Sequence, residues 1–422
     1  MLIFKFGGAS VKDADSIKNV LSILKKYPEK KIIVIVSAIG KTTNNLEKIY
    51  QSILNKDKVE FELAINLFYN EHLKIINDLE LDTNSSPFQY LEQIKTFFEN
   101  KFSSEISDNH FFEYDQIVSL GEIMSSIILE TYVSKELSNS CFLDARKVLR
   151  TDNNFRQADV VWNKTMDLVN NFIQSIFNSK TIVITQGFIG HTAEGFTTTL
   201  GREGSDFSAA IFAYCVNAES VTIWKDVPGM LNADPKYFDN TQKLDSISYK
   251  EAIELSYYGA SVIHPKTVKP LQNKNIPLFI KSFFKPELEG SVIHTSEEND
   301  DFCPSFIFKK EQILFSISTK DFSFINENEL SEIFQILASK KIKVNLMQNS
   351  ALSFSFAVDQ NLINTSEIIE LFEKKHLIKY NENLELLTIR HYNTEVIQTN
   401  TKNKSVILEQ KTRSTVRFLL KN

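Results

Sequence analysis

Apolar positions follow two rhythms along the first part of the chain. Leu2–Phe6 is an almost unbroken apolar run stopped by Gly7-Gly8, and residues 31–36 form a second, β-branched run whose loop begins at Ser37. Continuous runs of this length predict parallel strands buried on both faces. Between them Ile17, Val20, Leu21 and Leu24 recur at helical spacing, with Asp13 or Asp15 placed to cap the helix. Helical spacing dominates to about Asn109, and strand patterns return at 140–143, 181–185, 220–224 and 276–280, mostly separated by helix-like stretches. The pattern predicts an α/β fold with a mainly parallel sheet. Ser37, Gln186 and Lys225 follow predicted strand ends, the edge where open α/β sheets bind ligands.

The charged stretch 296–301 changes the composition, and a domain boundary is placed there. Downstream, 312–318, 329–338, 342–347, 353–358 and 366–375 read as strand, helix, strand, strand and helix. After Leu384 come a strand at 385–391, a polar stretch at 393–404 without an amphipathic helical run, and strand-like residues 405–420.

A chain of 422 residues with 42% hydrophobic and 24% charged content exceeds one core and is expected to fold as two or three domains. The net charge of -6 excludes a general nucleic-acid surface and points to a small-molecule substrate. The short apolar start does not read as a secretory signal and no uncharged stretch reads as membrane-spanning, so a cytoplasmic protein is expected. Cys141, Cys215 and Cys303 are widely separated and read as buried free thiols.

The candidate chemistry gathers in three segments. Thr197-Thr-Thr-Leu-Gly-Arg-Glu-Gly-Ser-Asp206 brings hydroxyls, two glycines, an arginine and an acid to the start of a helix-like run. Free hydroxyls and glycine amides suit an anion, Arg202 can grip a carboxylate through two parallel N–H bonds, and a helix beginning after Asp206 adds its dipole. Asp206 itself suits a helix N-cap as well as a catalytic acid. Lys5-Phe-Gly-Gly8 ends the first strand, and Ser119-Leu-Gly-Glu122 lies between the two. Gly40-Lys-Thr-Thr43 is not a P-loop, because Ile35 stands where that motif needs glycine. No His or Cys cluster has zinc spacing, and His72 and His264 read as structural.

Together these segments resemble the aspartate kinase family, amino-acid kinases with a C-terminal ACT-like regulatory region. The resemblance implies a three-layer α/β/α kinase domain over 1–295 and a ferredoxin-like α+β region over 296–422. The latter would hold one full ACT unit at about 311–384 and a second reduced to strands at about 305–310 and 384–422. It implies transfer of the ATP γ-phosphoryl group to the side-chain carboxylate of L-aspartate, a step toward lysine, threonine and methionine, with Mg2+ arriving on the nucleotide and no protein metal site. Lys5 and Asp206 take the catalytic positions. Ser37, Thr43, Glu122, Arg202 and Ser205 take the aspartate positions, with Glu122 receiving the α-ammonium and Arg202 the α-carboxylate. Lys5, Gly7, Gly8, Lys225, Asp226, Leu231, Lys236 and Ser261 take the nucleotide positions. Many relatives carry lysine at the place of Ser261, and Lys266 is the nearby substitute. A homodimer through the C-terminal region is implied. The second unit reduced to strands and Asn345, which stands where lysine-sensitive relatives carry aspartate, together imply weak or absent feedback inhibition by lysine, leaving the first unit for another ligand such as threonine or for dimerisation alone. The rivals are a kinase of glutamate or acetylglutamate and a catalytically silent amino-acid sensor.

Overall fold

The computed structural model describes residues 1–260, 263–321 and 323–421. They divide into two compact units, one of residues 1–230, 243–253 and 262–299, the other of residues 231–242, 254–261 and 300–422.

The first unit is built on an eight-stranded sheet. Its first four strands are β1 (Leu2–Phe6), β2 (Ile32–Val36), β3 (Ser140–Leu143) and β4 (Ile182–Gln186). A hairpin, β5 (Ile189–His191) with β6 (Thr197–Thr199), stands apart from it. Then follow β7 (Ser220–Lys225), the two-residue pieces β8 (Met230–Leu231) and β9 (Lys243–Leu244), β10 (Ser246–Ser248), β11 (Leu278–Ser282) and β12 (Ser291–His294). The order is β10-β12-β11-β7-β1-β2-β4-β3, parallel throughout except between β11 and β12. The alternation of the central strands sorts the helices. Leu2, Phe4 and Phe6, with Ile32, Val34 and Val36, face a core shared with α1 (Ala14–Lys25), α2 (Thr42–Asn55), α3 (Lys58–Asp78), α4 (Ser86–Ser103), α5 (His110–Val118) and α6 (Leu120–Glu136). The opposite face carries Ile3, Lys5, Ile33 and Ile35, where α8 (Gly204–Val216) packs with α7 (Trp162–Ile176) and α10 (Pro265–Lys274) beside it. This is the three-layer α/β/α arrangement. Helix α9 (Tyr249–Tyr258) precedes α10 in sequence.

By length and composition the stretch His110–Glu136 is apolar enough to cross a membrane, although it is not an uncharged stretch, since Glu113, Asp115, Glu122 and Glu130 interrupt it. Its most apolar 18-residue window is 67% buried inside the protein, as a core helix should be. Asp13 caps α1, accepting from Ser16 N at 2.8 Å.

The second unit is a six-stranded antiparallel sheet, order β14-β15-β13-β16-β18-β17. Strand β13 (Ser305–Thr319), α11 (Glu327–Ser339), β14 (Leu346–Asn349), β15 (Ser353–Asp359), α12 (Thr365–Glu373) and β16 (His376–Arg390) follow the βαββαβ order of a ferredoxin-like unit. Its core stacks Phe315 and Phe354 on Phe356, with Phe372 edge-on to Phe356, and includes Ile333 and Leu337 of α11. The remainder corrects the sequence reading of bare strands: between β16 and the pair β17 (Ser405–Lys411) and β18 (Thr415–Lys421) lies α13 (Thr394–Thr401). Asn393 caps it through Val396 N at 2.8 Å, and Val396 and Ile397 pack on Leu387, Ile389 and Phe418. Two apolar residues suffice for two turns whose other positions are polar, so no amphipathic pattern marks the helix.

Candidate functional site

Parity places the central ion pair. Lys5 points to the α8 face of the sheet, and its Nζ lies 2.6 Å from Oδ1 of Asp206. Lys225 ends the neighbouring strand β7 on the same face, with Nζ 3.8 Å from the other oxygen, Oδ2. Asp206 is buried in the first turn of α8, which begins at Gly204 with Glu203 in the capping position. Asp206 is therefore inside the helix and not its N-cap. Burial pushes its carboxyl upward, yet the Lys5 and Lys225 ammonium groups outweigh this and hold it below the ordinary range. Lys5 is only 8% exposed, less open than its strand-end position suggested.

The glycines leave room around this pair. A Cβ at Gly7 would stand 3.4 Å from Lys5 Nζ, and one at Gly8 would meet the carbonyl oxygens of Ala38 and Gly40 at 2.8 Å. A side chain at Gly8 would therefore force the two loops apart. Ser37 leaves β2 with its N–H donating to Phe6 O at 3.1 Å, and the next amide, Ala38 N, donates to Oε1 of Glu122 at 3.4 Å.

Glu122 lies in the first turn of α6, 3% exposed, with Oε2 buried and without a hydrogen-bond partner. Burial pushes its carboxyl up to about 8, against the pull of the Ala38 N–H and of Lys5. Such an acid waits for a cation. Thr43 is partly buried in the first turn of α2, and Ser205 is buried in the first turn of α8, packed where Gly187 leaves no room for a Cβ. Arg202 is exposed and has no ion pair or side-chain hydrogen bond among the described residues, so its guanidinium is available to a carboxylate.

Two sequence readings need correction. The hydroxyls of Thr198 and Thr199 are not free: Thr198 Oγ1 shares a hydrogen bond with Thr151 Oγ1 at 2.7 Å, and Thr199 Oγ1 donates to Asp115 at 2.7 Å. Gln186, at the end of β4, is also committed, accepting from Ala145 N and donating to Ser126 Oγ, both at 2.7 Å.

On the nucleotide side, Asp226 is exposed just after Lys225. Leu231 and Lys236 lie in the segment that groups with the second unit, where Lys236 N donates to Asp234 Oδ1 at 2.9 Å. Ser261 lies outside the described residues, and Lys266 is exposed in the first turn of α10. His264 caps that helix through Lys266 N at 3.2 Å. His72 is fully buried against Phe68 O, and burial lowers it to about 4, a structural residue as read. Cys215 and Cys303 are buried free thiols, whereas Cys141 is only partly buried.

Sequence reasoning missed Glu203. It sits inside the quoted segment, holds a left-handed φ of 53°, and has a buried Oε2 without a hydrogen-bond partner. Burial and the neighbouring Asp206 raise its carboxyl. A charged residue at a turn position that favours glycine was the available signal. Asp115 was also missed, and an acid on the buried face of an amphipathic helix was its signal.

A family model, the amino acid kinase family, matches residues 1–282. The chain is 29% identical over 363 residues to lysine-sensitive aspartokinase 3 of Escherichia coli strain K12, covering 85% of this chain and 78% of that one. It is 33% identical over 299 residues to an aspartokinase of Chlamydia muridarum, covering 70% of this chain and 64% of that one. Among solved structures it is similar to E. coli aspartokinase III in complex with aspartate and ADP, with a TM-score of 0.82 and 25% identity, covering 100% of this chain and 96% of that one.

Proposed function

The chain belongs to the amino acid kinase family and is an aspartate kinase, and from that premise we propose how its own residues divide the work. The reading is that ATP donates its γ-phosphoryl group to the side-chain carboxylate of L-aspartate, giving 4-phospho-L-aspartate and ADP, in a cytoplasmic enzyme that supplies lysine, threonine and methionine synthesis. The accepting carboxylate has an ordinary pKa near 3.9, so it is ionised at neutral pH and needs no base. The site's task is to bring two anions together and to neutralise the charge that passes between them.

The observation that carries the reading is the convergence of Lys5 and Lys225 on buried Asp206. Asp206 fixes both ammonium groups at the carboxyl edge of the sheet, where they meet phosphate oxygens, while Gly7 and Gly8 let the backbone approach. Aspartate is held at its other end, with Glu122 taking the α-ammonium, Arg202 the α-carboxylate, and Ser37, Thr43 and Ser205 completing the shell. Asp226, Leu231, Lys236 and Ser261 are assigned to the nucleotide. Magnesium fits as the nucleotide's companion: its ligands would be phosphate oxygens, with Glu203 the carboxylate beside them whose Oε2 has no hydrogen-bond partner. The ion would spread the phosphate charge.

Lys5→Ala tests this in a coupled ADP-release assay. Removing a charge from the transferring group lowers turnover by roughly a thousandfold, by analogy with loss of one oxyanion donor. The variant also leaves Asp206 with Lys225 alone at 3.8 Å, so its melting temperature falls. Adding Asp206→Asn restores melting but not turnover. Near-normal turnover in Lys5→Ala would remove Lys5 from the chemistry.

A further inference from the structure

Arg202 follows β6 by three residues, and β6 is held from α5. Asp115 is fully buried, and its Oδ2 accepts the backbone N–H groups of Thr199 and Arg156, both at 2.9 Å. Its Oδ1 accepts the Thr199 hydroxyl at 2.7 Å. The next residue, Gln116, donates Nε2 to Thr197 O at 2.8 Å. From the other side Ala158 N donates to Thr199 O at 3.0 Å. Arg156 adopts a left-handed φ of 70°, and its carbonyl oxygen would lie 3.2 Å from a Cβ at Gly201, whose own φ is 77°. The backbone leading into Arg202 is thus fixed residue by residue, by a helix that continues through Ser119 into the one carrying Glu122.

We propose that Asp115 is a positioning residue for aspartate recognition, holding Thr199 and Arg156 so that Arg202 presents its guanidinium to the α-carboxylate. The inference rests on the assignment of Arg202 to aspartate given above. An ionised carboxylate accepting three hydrogen bonds holds this strand more tightly than a neutral group, since charge-assisted bonds are roughly twice as strong. Burial raises Asp115 to about 6, although its three hydrogen bonds and the Arg156 guanidinium pull it down. Among the charged groups around it, Glu113 is turned to Lys101, Tyr114 bonds Glu47, and β6 brings only hydroxyls. Because the hydrogen bonds lower a carboxyl that burial raises, breaking them while Asp115 stays buried would raise it further, so the clamp is strong above about pH 6, where the carboxylate is charged, and the proton weakens it below. Asparagine mimics the protonated form at every pH. Its Oδ1 can keep both backbone N–H bonds, while its amide meets a Thr199 hydroxyl able to turn and accept.

The test measures kcat and both KM values from about pH 5 to 8 for the wild type, Asp115→Asn, Thr199→Val and Arg202→Lys. At pH 7.5 Asp115→Asn is expected to raise the KM for aspartate about fivefold, the order of one weakened charge-assisted bond, with the KM for ATP unchanged. The ratio of mutant to wild-type KM falls toward one as pH drops through about 6, which cancels the titration of Glu122 common to both proteins. Thr199→Val, which deletes only a hydroxyl, shifts the same KM and keeps the test open if Asp115→Asn folds poorly. If Arg202→Lys raises the aspartate KM while Asp115→Asn and Thr199→Val do not, or if the ratio is flat with pH, the inference is overturned. If Arg202→Lys spares aspartate, the assignment of Arg202 fails first and takes the inference with it.

Discussion

Burial raises Glu122 to about 8, so at neutral pH the empty protein holds it mostly protonated, and it becomes charged when a cation arrives beside its unpartnered Oε2. Two consequences differ in sign. The folded state binds this proton more tightly than the unfolded chain, so the group's contribution to stability is greatest below about pH 4.5 and falls as pH rises toward 8. With Glu122 in its proposed role, aspartate binding would release the proton and therefore tighten over the same range. Glu122→Gln is expected to melt higher than the wild type at pH 8 and nearly level with it at pH 5, while its aspartate KM at pH 8 rises roughly ten- to a hundredfold for one lost charged hydrogen bond. Differential scanning and initial rates at the two pH values read both; a melting difference that does not change with pH would mean that Glu122 is not the buried acid described. The candidate site residues stand out in the sequence because each is a strong chemical type near a strand end or helix start. What the sequence hid was commitment. Thr198, Thr199 and Gln186 look like free ligands in a string of letters, and only the fold shows Thr151, Asp115, Ala145 and Ser126 already holding them.

At the scale of elements, the strands of the parallel sheet were readable because burial on both faces demands uninterrupted apolar runs, and β1 and β3 begin and end where the pattern places them. Strand β11 starts at Leu278, two residues later than its pattern: Pro277 has no N–H to give the ladder, although its carbonyl accepts Val221 N of β7 at 3.0 Å. Helix α13 was unreadable because only two of its side chains, Val396 and Ile397, are apolar, and both are only partly buried. The strand beside it raises a separate issue. At the sheet's edge β17 exposes most of its length, including Val406 at 44% and Ile407 at 36%. Exposed apolar edge strands recruit another chain unless they are blunted. We expect a homodimer formed at least partly by residues after about 305, as the resemblance to aspartate kinases implies. Light scattering at micromolar concentration should return twice the chain mass, and Ile407→Lys should shift it toward one; a wild-type monomer would refute the assembly.

For the molecule as a whole, the question is whether the second unit reports lysine to the first. The expectation of weak feedback rests on Asn345 and on a second unit without helices; α13 removes the second support, and the surroundings of Asn345 strengthen the first. Asn345 is 9% exposed and its amide is committed, with Oδ1 accepting from Lys309 Nζ at 2.9 Å and Nδ2 donating to Gln312 Oε1 at 2.8 Å. Gln312 in turn donates to Asp359 at 2.6 Å, and Arg417 donates to the Asn345 carbonyl at 2.6 Å. An incoming lysine would have to displace an ammonium that the chain itself supplies, and it would gain a neutral acceptor in exchange. The charge-assisted part forgone is about 1 to 2 kcal/mol, roughly tenfold in affinity. Lysine and threonine titrated separately into the ADP-release assay decide the matter. Lysine at millimolar concentration is expected to leave most of the activity, and threonine tests whether the first ACT unit answers a different ligand. Asn345→Asp with Lys309→Met, which restores a carboxylate and removes the resident ammonium, is expected to increase lysine inhibition about tenfold or more. Strong lysine inhibition of the wild type would show that the Lys309–Asn345 bond is no barrier to the effector, and an unresponsive double variant would place any lysine site elsewhere in the unit.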